Sequence, residues 1–447
     1  MIISERLYFI YLAVAFLFIF AIKALARPNT ARKGNYLAMF GMGVAVLITL
    51  LILPTRNDFG ILTAVTLAAA LGIFLANLIQ ITALPQMIAL LNGVGGLSSL
   101  LVGLAQMLKE NTYSFDVSAG IVIGGIAFSG SLVAFLKLQN IYRIKRLPFF
   151  NLLNILLWAA LIATWLKFYE TQSINTALIL GAMAVLFGLT LTLPVGGADM
   201  PIVISVLNAF SGFAASFIGF CLSNIALIIT GALVGAGGTI LAVFMTRAMN
   251  RNLAAVFFKS LETQKTDQTF SGQTAKTGSV EDAAYFMQNA NKVIIVPGYG
   301  MAAAGAQHAL KQLAEILENK YHVAVKFAIH PVAGRMPGHM NVLLADAKVD
   351  YAKVFGLNEI NPDFETADVA YVIGANDITN PLAKTDISSP LYGMEILEVS
   401  KAKTVFFVKR SLGSGYSGAQ NPLFFKNNTL MLYGDAKKIT EEIIAEL

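Results

Sequence analysis

Gly298, Gly300 and Ala303 stand in a G-x-G-x-x-A spacing directly after the apolar run Val293-Ile-Ile-Val296 and Pro297. Residues of these types, so spaced, can cradle a pyrophosphate. Gly298 allows a tight turn, Gly300 lets backbone approach the phosphates, and Ala303 lets a helix pack close to the strand. The helix N-terminus then offers unpaired N–H groups and a favourable dipole. A tight strand-to-helix turn with no ligand would use the same residues. The strand before the motif and the helical pattern after it favour nucleotide binding.

A site for NAD usually ends its second strand with an acid that holds the ribose hydroxyls. Here the second apolar run ends Ala328-Ile329-His330-Pro331, without one. Lys409-Arg410 instead closes a later strand-like run, 404–408. Two cations at a strand's carboxyl end suit a 2′-phosphate, although a solvated strand end would look alike. The residues favour NADP(H).

Two further loops could touch the cofactor. Gly374-Ala375-Asn376-Asp377 follows a strand-like run, where ligands bind in open parallel sheets. Asn376 and Asp377 could hydrogen-bond a ribose or a carboxamide, or form only an Asx turn. Residues 413–418, with Gly415 and Tyr416, suit a flexible lid or a plain surface loop. Arg335 lies just past the second strand, within reach of a phosphate or a partner surface. None of these side chains looks like an acid–base catalyst. Asp377 and Tyr416 would position the cofactor, and hydride transfer would depend on proximity.

The elements that must position these groups alternate in type. Short apolar runs at 293–296, 323–329, 369–373, 405–408 and 430–433 are separated or followed by helical patterns such as 303–318 and 435–447. That alternation predicts an α/β domain with a doubly wound parallel sheet over 291–447. Residues 260–290, rich in Thr, Gln, Ser and Gly at their start, read as a linker.

Residues 1–259 are of another kind. The chain is 56% hydrophobic and 13% charged, with mean hydropathy +0.67. About nine stretches are long enough to span a bilayer, near 7–26, 34–53, 59–83, 85–108, 117–138, 149–168, 175–193, 201–222 and 224–249. Pro85 is read as the break between the third and fourth. One set of loops holds Lys23, Arg27, Arg32, Lys33, Lys137, Arg143, Lys145, Arg146, Arg247, Arg251 and Lys259, and the opposite set holds only Arg6, Arg56, Lys109 and Lys167. The positive-inside rule then places the N-terminus outside and the α/β domain in the cytoplasm. The basic excess belongs to membrane loops and gives no reason to expect nucleic-acid binding. The single cysteine, Cys221, lies in an apolar run and excludes an intrachain disulfide.

With these residues in view, the chain resembles the proton-translocating NAD(P) transhydrogenases, in particular the bacterial beta subunit, along essentially its whole length. The resemblance is carried by PGYGMA at 297–302, IHPVAGRMPGHMNVLLA at 329–345, GAND at 374–377, KRS at 409–411, GYSG at 415–418, QNPLFF at 420–425 and YGDAK at 433–437. ADMPIVIS at 198–205, LNAFSG at 207–212 and TGALVG at 230–235 carry it in the membrane half. The resemblance implies an α-helical polytopic membrane domain followed by a doubly wound, Rossmann-like domain holding NADP(H) in reversed orientation. With the motif residues, the candidate cofactor set is Gly298, Tyr299, Gly300, Met301, Ala302, Ala303, Arg335, Gly374, Ala375, Asn376, Asp377, Lys409, Arg410, Ser411, Gly415 and Tyr416. It implies NAD(H) on a partner alpha subunit, a dimer of alpha–beta units in the inner membrane, and hydride transfer from NADH to NADP⁺ driven by inward proton movement. No metal, flavin or haem is implied.

A proton path needs polar residues within the spans. Asn92 and Asn208 each lie seven residues after a proline, Pro85 and Pro201, which puts both about 10 Å in from one face. They suit a water-bridged pair, or plain interhelical hydrogen bonding. Asp199 sits at a span's edge, as a coupling carboxylate or an N-cap. Family resemblance adds Gly238. Well-known family members carry a protonatable histidine at the position of Asn92, whereas all four histidines here lie beyond residue 307. Asparagine cannot titrate near neutral pH, so a histidine of the alpha subunit is the expected substitute. Competing readings are a transporter gated by NADP(H), and a quinone-type oxidoreductase. The latter needs a redox relay whose ligands are not in the sequence.

Overall fold

Nine helices of 19 to 27 residues account for the apolar first half of the computed structural model, which describes residues 2–25, 28–52, 58–139, 141, 150–258, 274–415 and 417–447. They are α1 (Ile2–Leu25), α2 (Pro28–Ile52), α3 (Asp58–Leu78), α4 (Leu84–Glu110), α5 (Phe115–Leu138), α6 (Phe150–Thr171), α7 (Ile174–Thr192), α8 (Met200–Cys221) and α9 (Ile225–Ala248). Eight have the length and hydropathy to cross a bilayer, and α1 carries a shorter apolar run, Phe9–Leu25. The break between α3 and α4 is not at Pro85. The chain turns at Gln80, which is extended, and Ile81–Ala83 form a 3₁₀ turn. Pro85 falls in the first turn of α4, where its missing N–H costs nothing.

Two compact units emerge: Met1–Pro194 with Ile204–Ile240, and Val195–Val203 with Leu241–Leu447. In the first, small residues set the packing. A methyl placed on Gly96 would lie 2.6 Å from the Gly124 carbonyl oxygen, and one on Gly124 equally close to that of Gly96. The backbones of α4 and α5 thus touch, as glycines allow between membrane helices. The end of α7 is held by side chains. Pro194 leaves the Thr190 carbonyl without its helical donor, and Asn154 Nδ2 supplies one at 3.4 Å. Lys137 donates to the carbonyls of Thr192 and Leu193. By contrast, α3 buries none of its spanning window and presents Phe59, Leu67, Ile73 and Leu78 outward, as a helix surrounded by hydrocarbon can.

The second unit is built on six parallel strands in the order β3-β2-β1-β4-β5-β6. They are β1 (Lys292–Pro297), β2 (Ala324–Ile329), β3 (Val354–Gly356), β4 (Val369–Ile373), β5 (Thr404–Lys409) and β6 (Thr429–Tyr433). Every residue of β4 is buried, the continuous apolar run expected of a strand covered on both faces. A short helix, α10 (Leu253–Phe258), follows α9; the helices of the sheet domain are α11 (Val280–Gln288), α12 (Tyr299–Ala304), α13 (Gln307–Tyr321), α14 (His339–Asp346), α15 (Leu357–Ile360), α16 (Leu382–Thr385) and α17 (Ala436–Glu446). The doubly wound sheet is as expected, with one strand more. The helix read over 303–318 is two, because Gly305 takes φ +63 and ends α12. Within the stretch read as a linker, Ser279 and Asp282 form a capping box that opens α11, while residues 260–273 lie outside the described residues. Strand order reverses between β1 and β4, so the crevice beyond their carboxyl ends is the place for a ligand.

Candidate functional site

Two glycine turns meet at that crevice. Gly298 N donates to the Ile373 carbonyl at 2.9 Å, and Gly300 N to the Gly374 carbonyl at 2.8 Å. A Cβ on Gly300 would sit 2.5 Å from Gly374 Cα, and one on Gly298 2.5 Å from Ala375 Cα. Gly374 itself takes φ +64. The glycines are therefore demanded first by the contact between the β1 and β4 loops. That contact brings the turn and the Gly374–Asp377 loop onto one cavity of about 460 Å³, within the range of small-molecule sites.

Most of the expected residues line this cavity: Gly298, Tyr299, Gly300, Ala303, Gly374, Ala375, Asn376, Asp377, Lys409, Arg410, Ser411 and Gly415. Met301 and Ala302 do not. Both are buried in the core behind the turn. Arg335 stands back from it, its guanidinium carbon 4.2 Å from the centroid of the Tyr299 ring, which does line the wall. Tyr416 lies outside the described residues.

Asp377 holds the 413–418 loop. Its Oδ2 accepts from Ser417 N at 3.0 Å and its Oδ1 from Ser417 Oγ at 2.9 Å. Asn421 Nδ2 donates to Asn376 Oδ1 at 3.3 Å and to the Asn376 carbonyl at 3.2 Å, fixing the neighbouring residue.

The cations line the same cavity at the end of β5, whose Val408 carbonyl accepts from Gly374 N at 3.3 Å. Lys409 Nζ lies 4.8 Å from the Phe424 ring centroid and donates to the Gly413 carbonyl. Burial pulls its pKa down to about 8, against the pull of the Asp377 charge. Arg410 Nη2 meets Asp435 Oδ2 at 2.7 Å. That bond, with backbone N–H groups of α17, holds the Asp435 carboxyl below the usual range. Asp435, Gly434 and the 332–334 wall were not anticipated. For Asp435 the signal was available: an acid at the head of a helical pattern, one glycine past a strand-like run.

His330, at the end of β2 where an NAD site would carry its acid, is buried and internal. Its Nδ1 accepts from Val332 N at 3.2 Å, so Nε2 carries the proton and donates to the Glu395 carbonyl at 2.7 Å. Burial lowers its pKa to about 4, so it is neutral near pH 7.

In the helical unit, Asn92 is buried and its Nδ2 reaches the Ile204 carbonyl at 3.5 Å, one turn ahead of Asn208 on α8. Gly238 lets α9 approach that helix: a Cβ there would lie 2.7 Å from Ala209 N. Asp199 belongs to the other unit, is buried, and lies 3.9 Å from Arg251 Nε. Burial raises its carboxyl above the usual range, against the Arg251 charge.

A family model described as the NAD(P) transhydrogenase beta subunit matches residues 7–446. The chain belongs to this family. Two curated sequences named NAD(P) transhydrogenase subunit beta, both from Rhodospirillum rubrum, are 48% identical to it over 452 aligned residues, covering 97% of either chain. The chain is thus a component of an oxidoreductase that resides in a membrane, and the Rossmann-like sheet and apolar helices are those two functions in structural form. The reading of the residues as a gated transporter is not supported.

Proposed function

We propose that this chain holds NADP(H) in the cavity beyond β1 and β4 and exchanges hydride with NAD(H) on a partner alpha subunit. Lys409 and Arg410 at the rim carry the reading, because they place two cations beside a cavity whose second strand ends without an acid. The residues present fit the dinucleotide. The paired glycine turns leave backbone open to the cavity for the pyrophosphate, and the cations that line it suit the 2′-phosphate. The bound nicotinamide supplies the hydride chemistry. The chain's own residues position it, with Asp377 fastening the loop that closes over it and so excluding water.

The rest of the reading is supported by loop charge, composition and the family likeness. Residues 1–259 form the proton-translocating domain, 260–290 the linker and 291–447 the nucleotide domain. The N-terminus is outside the inner membrane and the nucleotide domain is cytoplasmic. Two alpha–beta pairs make the working assembly. Asn92, Asn208, Gly238 and Asp199 belong to the proton path, and a histidine of the alpha subunit supplies the titratable group that Asn92 cannot.

The test uses membranes containing both subunits. Reduction of an NAD analogue by NADPH is followed with and without an uncoupler. The reading predicts turnover that responds to the proton gradient and is lost in Arg410→Gln at limiting NADPH. Turnover indifferent to the gradient overturns the coupling, and NADPH binding unchanged in Arg410→Gln overturns the site.

A further inference from the structure

Arg410 is the more exposed of the two rim cations, and it pairs with a carboxylate of the same chain, Asp435. Strands β5 and β6 pair so that Lys409 lies opposite Tyr433. Gly434 and Asp435 therefore follow at the cavity's edge, and Gly434 and Ala436 line it. Asp435 spends both oxygens there. Oδ2 takes Arg410 Nη2 at 2.7 Å, and Oδ1 takes Lys437 N at 3.1 Å and Lys438 N at 3.5 Å. One anionic side chain thus occupies the guanidinium and the helix N–H groups that an incoming phosphate at this corner would seek.

We propose that Asp435 is a built-in competitor for the 2′-phosphate: it aims Arg410 while empty and weakens the hold on the phosphate when bound. This rests on the NADP(H) reading above. A bound 2′-phosphate carries close to two negative charges at neutral pH. Sharing one guanidinium with a carboxylate, it meets a like charge within a few ångströms. The side chains of Arg410 and Asp435 are 74% and 35% exposed, so solvent screens the repulsion to a modest size. Modest is what the task requires, since a cofactor that is also a product must leave. The repulsion acts only on nucleotides that carry the 2′-phosphate. Asp435 therefore lowers affinity for NADP(H) and leaves affinity for the dephospho-nucleotide alone.

The experiment is calorimetric titration of the full-length chain in detergent with NADPH, 2′-AMP and 5′-AMP. Asp435→Asn keeps the cap, since asparagine serves as well as aspartate there, and removes the charge. Its expected effect is about fivefold tighter binding of NADPH and 2′-AMP, none on 5′-AMP, and correspondingly slower NADPH release. Asp435→Ser, which also caps, should agree with it. In the Arg410→Gln background the gain from Asp435→Asn should shrink, because the competition for the guanidinium is gone and only the screened repulsion between the carboxylate and the phosphate remains. Unchanged or weaker NADPH binding in both Asp435 variants, with the amides of α17 still protected from hydrogen exchange, overturns the proposal. If Arg410→Gln alone leaves NADPH binding intact, the phosphate is not at this corner. The NADP(H) reading of the site then fails first, and the proposal with it.

Discussion

Asp377 and Ser417 are joined twice, backbone N–H to Oδ2 at 3.0 Å and hydroxyl to Oδ1 at 2.9 Å, although 40 residues separate them. The pair ties the end of the β4 loop to the loop read as a lid. The loop passes so close that a Cβ on Gly415 would sit 2.3 Å from Asp377 Oδ1. Hydrogen bonds to a charged group contribute about 1.5–3 kcal/mol each. Asp377→Ala should therefore free the loop and speed NADPH release by about tenfold or more. Ser417→Ala, which keeps the backbone bond, should speed it less. Stopped-flow release of NADPH, followed by its fluorescence, measures both. Equal release from all three proteins would show that the loop is not a lid.

Glycines in the same turn should respond differently to alanine. At Gly300 the new methyl meets Gly374 Cα at 2.5 Å, backbone against backbone, with no side chain to swing away. Gly300→Ala should push the β1 and β4 loops apart, destabilise the chain by about 2 kcal/mol, and lose NADPH binding. At Gly305 the Cβ meets nothing within 4 Å, but φ is +63. Gly305→Ala should cost about 1 kcal/mol of backbone strain and leave NADPH binding intact. Thermal unfolding with parallel NADPH titrations separates the two.

These details mark where sequence reasoning stops. The apolar spans and the alternating β and α pattern are one-dimensional signals, and they emerged as α1–α9 and the parallel sheet. Strand β3 was missed because it is three residues, Val354–Gly356, at the sheet's edge, too short to show periodicity. Gly305 splits a helix that its neighbours' composition would continue. The cavity's first glycines and its cations were legible because they stand at or just past the carboxyl ends of strands. The task of Asp377 was not, because its partner arrives from a distant loop. Nor was that of Asp435, whose local pattern reads equally as a helix cap, which it also is.

Burial of Lys409 sets the upper pH limit for binding. In the empty site its pKa is about 8, so it is charged below that and neutral above. The 2′-phosphate needs the charged form. Above pH 8 binding must therefore bring a proton with it, and affinity for NADPH should fall about tenfold per pH unit. Below about pH 6 affinity should also fall, as the phosphate takes up its second proton. Lys409→Arg, which stays charged, should remove the upper limb only. A profile that stays flat from pH 7 to 9.5 in the original chain would place the phosphate away from Lys409.

His330 sets a stability limit at the acid side. Its folded pKa of about 4 lies below the ordinary 6.5 because burial disfavours the imidazolium. Between those values the unfolded chain binds more proton than the folded one, so stability drops as pH falls from 6.5 towards 4. The full effect, reached below pH 4, is about 3 kcal/mol. Hydrogen exchange in β2 of the full-length chain should show opening growing easier between pH 6.5 and 5. His330→Gln, which keeps an amide donor for the Glu395 carbonyl, should flatten that slope.

Asn92 offers the sharpest test in the helical unit. Its amide lies on the α8 backbone at Ile204, one turn from Asn208, in a region where Gly238 and Gly96 hold helices at backbone contact. Two roles are compatible with that position. As glue, the hydrogen bond would contribute about 0.6 kcal/mol, and its loss in Asn92→Leu would lower stability slightly and leave coupling alone. As part of a proton path, Asn92 would orient water, and Asn92→Leu would break it without unfolding the bundle. The path predicts that Asn92→Leu and Asn208→Leu each abolish the response of turnover to an uncoupler while the apparent NADPH affinity is unchanged. Asn92→Gln should retain part of the response, since it keeps an amide at the same depth. Full coupling in both leucine variants would leave the two asparagines as packing hydrogen bonds only.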